Sequence, residues 1–495
     1  MKRIHFTPAA GRKLTVGVFM AALVAPVVAV GASDHVRETI SVLVNDPASW
    51  QAQSNRLRAG TPLWNNSVAA YSTLLYRLDT SSNEAVGVVG RDGWMFLGDV
   101  QNLNFSQAIG RKVLTPGEAD AWADVVAQQQ TWLETRGIPM VFAVGPAKWS
   151  VYPDRLPAWT DDVRGPTSFD AVLEARPDLG LVDLRGVLRD AEDPTYSPLN
   201  SHWTDYGAYV GWTGLAEVLE DRVDGLDPAV PGLEGIETVD DGPNEFDAMM
   251  GVRAPNPWTN PLLDEDLPDY AVVQPDGSTV PMGGEAPTSL LDLPRTTTST
   301  AAGNDLTALV LRDSMGDALT PYLQASFGRT VQVRHNIDNH GEAPNLQALV
   351  DLVQPDVVIF EMAERHFNSG LPDAATWHAA NAYDDADASL QLDWSADAAT
   401  PGAVAVDGEL DAEGAEVTWQ PSGTAGQVLR VSLLAGGPGQ LEVVSDDGTV
   451  TPLRVARDAN VLFAHLPAGA SQVTLRPVDG SAAATLTSVS VRPAS

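Results

Sequence analysis

Residues 306–319 read Leu-Thr-Ala-Leu-Val-Leu-Arg-Asp-Ser-Met-Gly-Asp-Ala-Leu. The first six are nearly all apolar and free of Gly and Pro, the mark of a short strand buried on both faces. The run ends on Asp313-Ser314, where a helix is expected to begin. A strand that feeds a helix, repeated along a chain, builds a mainly parallel sheet with helices on both faces, and ligands of such sheets gather at the C-terminal ends of the strands. Ser314 stands at such an end. The helix amides around Met315 and Gly316 could receive an oxyanion, and Gly316 would permit close backbone approach. A plain N-cap serine needs the same local geometry.

The alternation continues on both sides. Upstream, Thr115-Pro116-Gly117-Glu118 opens a helix with Thr as N-cap and Glu at the third position, and Gly137 stops it. The run from Pro139 to Val144 is a buried strand, and Gly145-Pro146 ends it in a loop carrying Lys148, Tyr152 and Pro153. Leu179 to Leu184 and Asp356 to Glu361 read as further strands, with Arg365 just past the last. Gly87 to Leu97 is a hairpin signalled by Asp92-Gly93. Residues 33–85 form a polar, mostly helical lead-in. Residues 225–300 are rich in Pro, Gly, Asp and Thr and read as a loop-rich insertion into a domain of residues 86–380. From 386 to 495, short runs of alternating polarity separated by Gly, Asp and Pro predict an all-β sandwich.

A second segment, Asn-Ser-His-Trp-Thr-Asp-Tyr-Gly-Ala at 200–208, sets His202 at the mouth of a helix running from about Tyr206 to Leu219. An imidazole acting as a base needs an acceptor on its other nitrogen. Asn200 is the nearest candidate and Asp205 the alternative acid. With Ser314 these residues form the minimal kit for acyl transfer through a serine ester. Weaker signals read as structure. His335, Asp338 and His340 lack a further close ligand, so no metal site is expected. Glu361 and Arg365 read as an i, i+4 pair, and most of the 13 Trp residues as core. No phosphate loop or other cofactor motif is present.

The chain has 495 residues, enough for two or three domains, and carries 65 acidic against 30 basic residues, net −35. Such a surface repels nucleic acid and anionic lipid. Cysteine is absent, which excludes disulfides and thiol catalysis. Lys2, Arg3, Arg12 and Lys13 precede an uncharged apolar stretch at 14–32. This predicts export, with the stretch either a cleaved signal peptide or a retained membrane anchor.

Taken in order, these segments resemble the SGNH-hydrolase-like family of the alginate O-acetylation proteins AlgX and AlgJ. The resemblance rests on Gly-Arg-Asp-Gly-Trp-Met-Phe-Leu from Gly90, Gly-Pro-Ala-Lys-Trp-Ser-Val-Tyr-Pro from Gly145, the His202 segment, Arg-Asp-Ser-Met from Arg312 and Glu-Met-Ala-Glu-Arg from Glu361. It spans roughly residues 86–370. It implies a three-layer αβα domain with a mainly parallel sheet, and it makes the C-terminal sandwich the counterpart of a carbohydrate-binding module. It further implies an exported transferase that carries an acetyl group on Ser314, with His202 as general base, to hydroxyls of a cell-surface or secreted polysaccharide. By the same resemblance, a membrane acyltransferase delivers the acyl group, and Lys148, Tyr152 and Arg365 line the site. Asn200 stands where the family has its triad Asp, and Arg312 where a Gly often precedes Asp-Ser. An amide can orient an imidazole but cannot stabilise imidazolium, and the equivalent change in a serine protease costs ~10⁴ in kcat. The site would therefore be slow or borrow a carboxylate such as Asp205. Two other readings stay open here: a carbohydrate esterase that sends the acyl-enzyme to water, and a catalytically impaired glycan-binding subunit.

Overall fold

The computed structural model describes residues 62–339, 342–370, 374–385, 426–470, 473–478, 481 and 484–493, and the strand pieces 392–393, 409–410 and 417–419. The apolar N-terminal stretch, most of the lead-in and His340 lie outside these residues. Among the described residues no helix is long and apolar enough to cross a membrane.

The central sheet has eight strands, in spatial order Val182–Asp183, Met140–Gly145, Val357–Ala363, Thr307–Arg312, Arg329–Arg334, Arg295–Thr298, Tyr270–Val273 and Thr279–Met282. The first five are parallel and the last three antiparallel. Side-chain alternation sorts each parallel strand between two cores. Val141, Ala143, Ala308, Val310, Val357 and Ile359 face the layer built around the helix Asp205–Arg222. Met140, Phe142, Leu309, Leu311, Val358 and Phe360 face the helices Pro116–Glu134, Leu346–Val353 and Ala374–Asp385. This is the three-layer αβα arrangement with a mainly parallel sheet. The strand before Ser314 lies between two parallel neighbours, so Ser314 emerges near the middle of the sheet's C-terminal edge.

Several local signals form as written in the sequence. Thr115 and Glu118 make a reciprocal capping box, and Gly137 ends the chain segment after the helix at φ +70°. Strands Gly87–Val89 and Met95–Leu97 pair antiparallel around Asp92 and Gly93, both at positive φ. Other elements differ. The predicted strand at 179–184 shrinks to Val182–Asp183, because Pro177 starts a 3-10 turn through Leu179. Glu361 lies within a strand, so Arg365 is not a helical turn away from it. The stretch 225–300 is more than loops. It supplies all three antiparallel strands of the sheet, a hairpin of Leu233–Val239 with Trp258–Leu263, and a six-residue helix, Glu245–Met250. Its strands are short and carry Pro261 and Pro281, which weakened the alternation signal.

Beyond the αβα layers, two antiparallel sheets enclose a separate apolar core that includes Leu429, Val431, Val443, Leu462, Val473 and Leu475. They dock on the layer opposite Asp205–Arg222. Tyr383 meets Phe463 with ring centroids 5.5 Å apart, and Asn345 Nδ2 donates to the Val461 carbonyl at 3.1 Å.

Candidate active site

Ser314 and His202, 112 positions apart in sequence, meet at the sheet edge, with His202 Nε2 2.9 Å from Ser314 Oγ. The turn holding Ser314 is capped by its neighbour. Asp313 is the N-cap of a 3-10 segment, Ser314–Leu319, that continues into the helix Thr320–Ser326. Asp313 Oδ1 accepts from the Met315 amide at 2.8 Å. Asp and Ser cap helices about equally well, so sequence could not say which of the two would do it. With Asp313 in that role, the Ser314 hydroxyl faces the imidazole. The same bond engages the Met315 amide, which corrects its expected place in an oxyanion hole. Gly316 meets a need beneath the turn, since a Cβ there would come within 2.6 Å of Arg312 Cδ.

Arg312, fully buried, reaches Gln332, the carbonyls of Asp313 and Thr288, and the Asp317 carboxylate. It ties the serine turn to the next strand and to the insertion. On the other side, Asp313 Oδ2 accepts from the Ala363 amide at 2.8 Å and faces Nε2 of His335 and His366 at 3.4 and 3.3 Å. His335 Nδ1 accepts from the Ile337 amide and His366 Nδ1 faces Asn102 Nδ2, so both rings turn a protonated Nε2 toward Asp313. Burial pushes the Asp313 carboxyl up, but the Nε2–H groups of the two histidines outweigh it and hold it well below the usual range. Glu361, buried beside Asp313, is pushed well above the usual range by burial and by that like charge. Asp313 thus carries the negative charge and Glu361 the proton. His335 and His366 are committed to this network, and Asp338 pairs with Arg334.

Asp313→Asn should lower stability by about 2 kcal/mol, the usual worth of buried hydrogen bonds to an ionised acceptor. Because the folded carboxyl is depressed, its contribution is complete above pH ~4 and fades as pH falls through the lower folded value. Urea unfolding at several pH values should show this acid dependence in the wild type and its reduction in the variant.

His202 is oriented by two groups. Asn200 Oδ1 accepts from the His202 amide at 3.0 Å and lies 3.1 Å from Nδ1. The Asn200 amide is not free to flip, because its Nδ2 donates to the Pro243 carbonyl at 3.0 Å. Oδ1 therefore faces the ring, Nδ1 carries the proton, and Nε2 presents its lone pair to Ser314. The second group was missed from the sequence. Glu245 Oε2 lies 3.5 Å from His202 Nδ1, while the Glu245 carboxylate accepts from the Ser201 amide and hydroxyl at 2.9 and 3.0 Å. Burial raises Glu245, but bonds from His202 and Ser201, with the charges of His202 and Lys148, bring it below its ordinary value. It stands at the first turn of Glu245–Met250, capped by Asn244. The only signal in the sequence was that cap, with Asp three residues on. Asp205, the expected alternative acid, instead accepts from Trp258 Nε1 at 3.1 Å, and its carboxyl is raised by burial.

The segment between Tyr196 and Thr204 is braced on all sides. Trp203 is buried and donates from Nε1 to the Met315 carbonyl at 3.0 Å, joining the His and Ser segments directly. Thr204 caps Asp205–Arg222, and a Cβ on Gly207 would stand 2.1 Å from the Thr195 carbonyl, so that close approach requires glycine. Tyr152, expected to line the site, bonds through its hydroxyl to Thr195 and packs its ring, tilted by 37°, against Trp94, bracing this segment from behind. Lys148 and Arg365 border a small cavity of about 10 Å³ with Ser201, Met315 and Glu364. Glu364 accepts from the Ala147 amide and the Ser150 hydroxyl, holding the Lys148 loop to the end of strand Val357–Ala363. Among the described residues no cluster of three or more His, Cys, Asp or Glu could hold a metal ion.

Residues 88–291 match the model of the SGNH hydrolase-like domain of acetyltransferase AlgX. A stretch of 155 residues is 30% identical to the probable alginate O-acetylase AlgJ of Pseudomonas aeruginosa, covering 30% of this chain and 35% of that protein. The α/β domain is similar to members of the AlgX/AlgJ family. The chain thus spans about a third of the length of the curated AlgJ relative it matches. Among solved structures, AlgX of Pseudomonas aeruginosa is similar at 13% identity with a TM-score of 0.47, over 86% of this chain and 99% of that one. PatB1 of Bacillus cereus, solved with a sulfonyl adduct, is similar at 14% identity with a TM-score of 0.44, over 59% and 100%. The AlgX model match covers the His202 segment and Glu245 and ends before Ser314.

Proposed function

We propose that this protein is an exported O-acetyltransferase that moves an acetyl group through a Ser314 ester to hydroxyls of a cell-surface or secreted polysaccharide. One observation carries the reading: a serine hydroxyl 2.9 Å from an imidazole nitrogen whose other nitrogen is held by a fixed amide and a carboxylate. Similarity to the AlgX domain and to AlgJ supports the acetyl group and the glycan acceptor.

In the first half-reaction, Ser314 Oγ gives its proton to His202 Nε2 as it bonds to the acyl carbon. His202 then returns that proton to the leaving group as its bond to carbon breaks. In the second half, a glycan hydroxyl loses its proton to His202 and attacks the ester, and Ser314 leaves with the proton restored. Asn200 keeps the ring in the productive tautomer, and Glu245 stabilises the imidazolium formed in each half. The amides of the Ser314–Gly316 turn, other than the engaged Met315 amide, would hold the oxyanion. The acyl donor would come from a membrane acyltransferase partner. The C-terminal sheets would contact the polymer.

The experiment is intact-mass analysis of the full chain after incubation with an activated acetyl ester, followed by acceptor sugars. A +42 Da adduct on Ser314 that passes to sugar is expected, with the mass being that of one acetyl replacing hydrogen, about 42 Da. Release of acetate alone in the presence of acceptor would make the protein an esterase, and absence of any adduct in folded protein would sink the reading.

A further inference from the structure

We propose that Lys148 is a positioning residue: its ammonium clamps the segment carrying Asn200 and His202, and loss of its proton releases that segment. The inference rests on the acyl-transfer reading for its kinetic consequence, though not for its structural one.

Lys148 is 3% exposed, and its Nζ donates to three carbonyls of one short stretch, Ser197 at 3.2 Å, Pro198 at 3.0 Å and Asn200 at 2.8 Å. An ammonium has three N–H donors, so the stretch uses all of them. The charge also lies 5.3 to 5.8 Å from the ring centroids of Trp94, Phe96 and Phe246, within cation–π reach. Neutral bonds also hold residues 197–200, among them Leu199 amide to Asn256, Asn256 Nδ2 to Ser197 Oγ, Glu245 amide to the Leu199 carbonyl and Asn200 Nδ2 to Pro243, and the Glu245 carboxylate holds the neighbouring Ser201. The stretch ends two residues before the imidazole, so its rotation would move both Asn200 Oδ1 and His202.

The charged groups around Lys148 are few. Glu245 faces it from the helix Glu245–Met250, and its charge favours the ammonium. Glu364 and Arg365 border the same small cavity from the turn after strand Val357–Ala363, and His202 lies at the end of the clamped stretch. Burial outweighs Glu245 and draws Lys148 down to about 7. Above that pH the neutral amine offers two N–H groups and no charge to three carbonyls. One buried carbonyl then loses its donor, and the pull on the others weakens. Below it the clamp is complete. The reaction should therefore have an alkaline limb that comes from Lys148.

The test follows the rate of Ser314 acetylation by an activated acetyl ester across pH in the full-length wild type, Lys148→Met and Lys148→Arg. Lys148→Met should remain folded and react about 10²-fold slower at low pH, the usual effect of a misplaced catalytic group, and it should show no alkaline limb. Lys148→Arg should keep part of the rate and lose the alkaline fall, because a guanidinium does not titrate there. A folded Met variant reacting at the wild-type rate, or an alkaline limb unchanged in the Arg variant, overturns the proposal. Should neither variant fold, hydrogen exchange of the wild type decides it. Protection of the 197–202 backbone, corrected for intrinsic rate, should fall as pH rises through about 7, and constant protection overturns the clamp. A wild type that never forms the adduct refutes the acyl-transfer reading, while the exchange experiment still judges the clamp.

Discussion

On the proposed acyl-transfer reading, Ser314→Ala should remove the acyl adduct and lower turnover by ~10⁶, the scale seen when the nucleophile of a serine triad is deleted, while leaving the fold intact. The two halves of that expectation come from different parts of the structure. The loss is large because, among the described residues, Ser314 Oγ is the hydroxyl placed against His202 Nε2, at 2.9 Å. The fold is spared because Ser314 is not the cap of its own turn. Asp313 holds the Met315 and Ala363 amides, Arg312 holds the turn to Gln332 and Thr288, and Trp203 holds the Met315 carbonyl. Deleting a partly exposed hydroxyl outside those bonds should change stability by no more than about 0.5 kcal/mol. Intact-mass analysis and turnover measure the first half, and the urea midpoint measures the second. A variant that loses turnover only because it unfolds would show Ser314 to be the structural cap that Asp313 is argued to be. A folded variant that still takes up acetyl would move the nucleophile elsewhere.

The parallel strands Met140–Gly145, Thr307–Arg312 and Val357–Ala363 were legible because each is apolar on both faces and ends on a turn signal, as at Leu311-Arg312-Asp313 and Val144-Gly145-Pro146. The parallel strand Arg329–Arg334 went unread because Arg329, Thr330, Gln332 and Arg334 break its apolar run. The segments that meet at the site were legible as pieces, since a strand end and a helix mouth concentrate chemistry-bearing residues. What the sequence hid was the carboxylate. Glu245 sits on a six-residue helix, too short for periodicity to declare itself, in a stretch whose Pro and Gly content reads as loop. Asp205 attracted attention because it is three positions from His202, yet helix geometry at Asp205–Arg222 turns it toward Trp258. Tyr152 and Lys148 were noticed for their place after a strand end. Only packing shows that both face the backbone of residues 195–200. Nearness in sequence was thus a poor guide to which groups touch the imidazole, because its orienting partners come from both a two-residue step and a 43-residue one.

Glu245→Gln should therefore cost more activity than any substitution at Asn200, by ~10²–10⁴ in kcat, approaching the loss seen when a triad carboxylate becomes an amide. The His202 ring has two jobs to be supported. Its tautomer is fixed by Asn200, whose Oδ1 is held toward Nδ1 by the bond from Nδ2 to Pro243. Its charge, when it holds the Ser314 proton, can be balanced only by a carboxylate, and Glu245 lies 3.5 Å from Nδ1. Glutamine keeps the size and the acceptor for Ser201 but removes the charge, so kcat should fall with little change in KM. The restoring substitution Asn200→Asp tests the same division from the other side. Aspartate at that position would supply a charge, but it would lose the bond that anchors the side chain to the Pro243 carbonyl and set a second carboxylate beside Glu245. Like charges so close raise one another's proton affinity, so the variant should gain nothing near neutral pH and lose activity as pH falls. In the double variant Asn200→Asp, Glu245→Gln, that repulsion is gone and the charge has moved to the neighbouring position, so activity should recover above Glu245→Gln alone. Measured as a double-mutant cycle on adduct formation and turnover, such a recovery would show that the site needs one carboxylate and is indifferent to which segment brings it. A large gain in Asn200→Asp alone would mean instead that Glu245 leaves the imidazolium unsupported and that the native site is a weakened one.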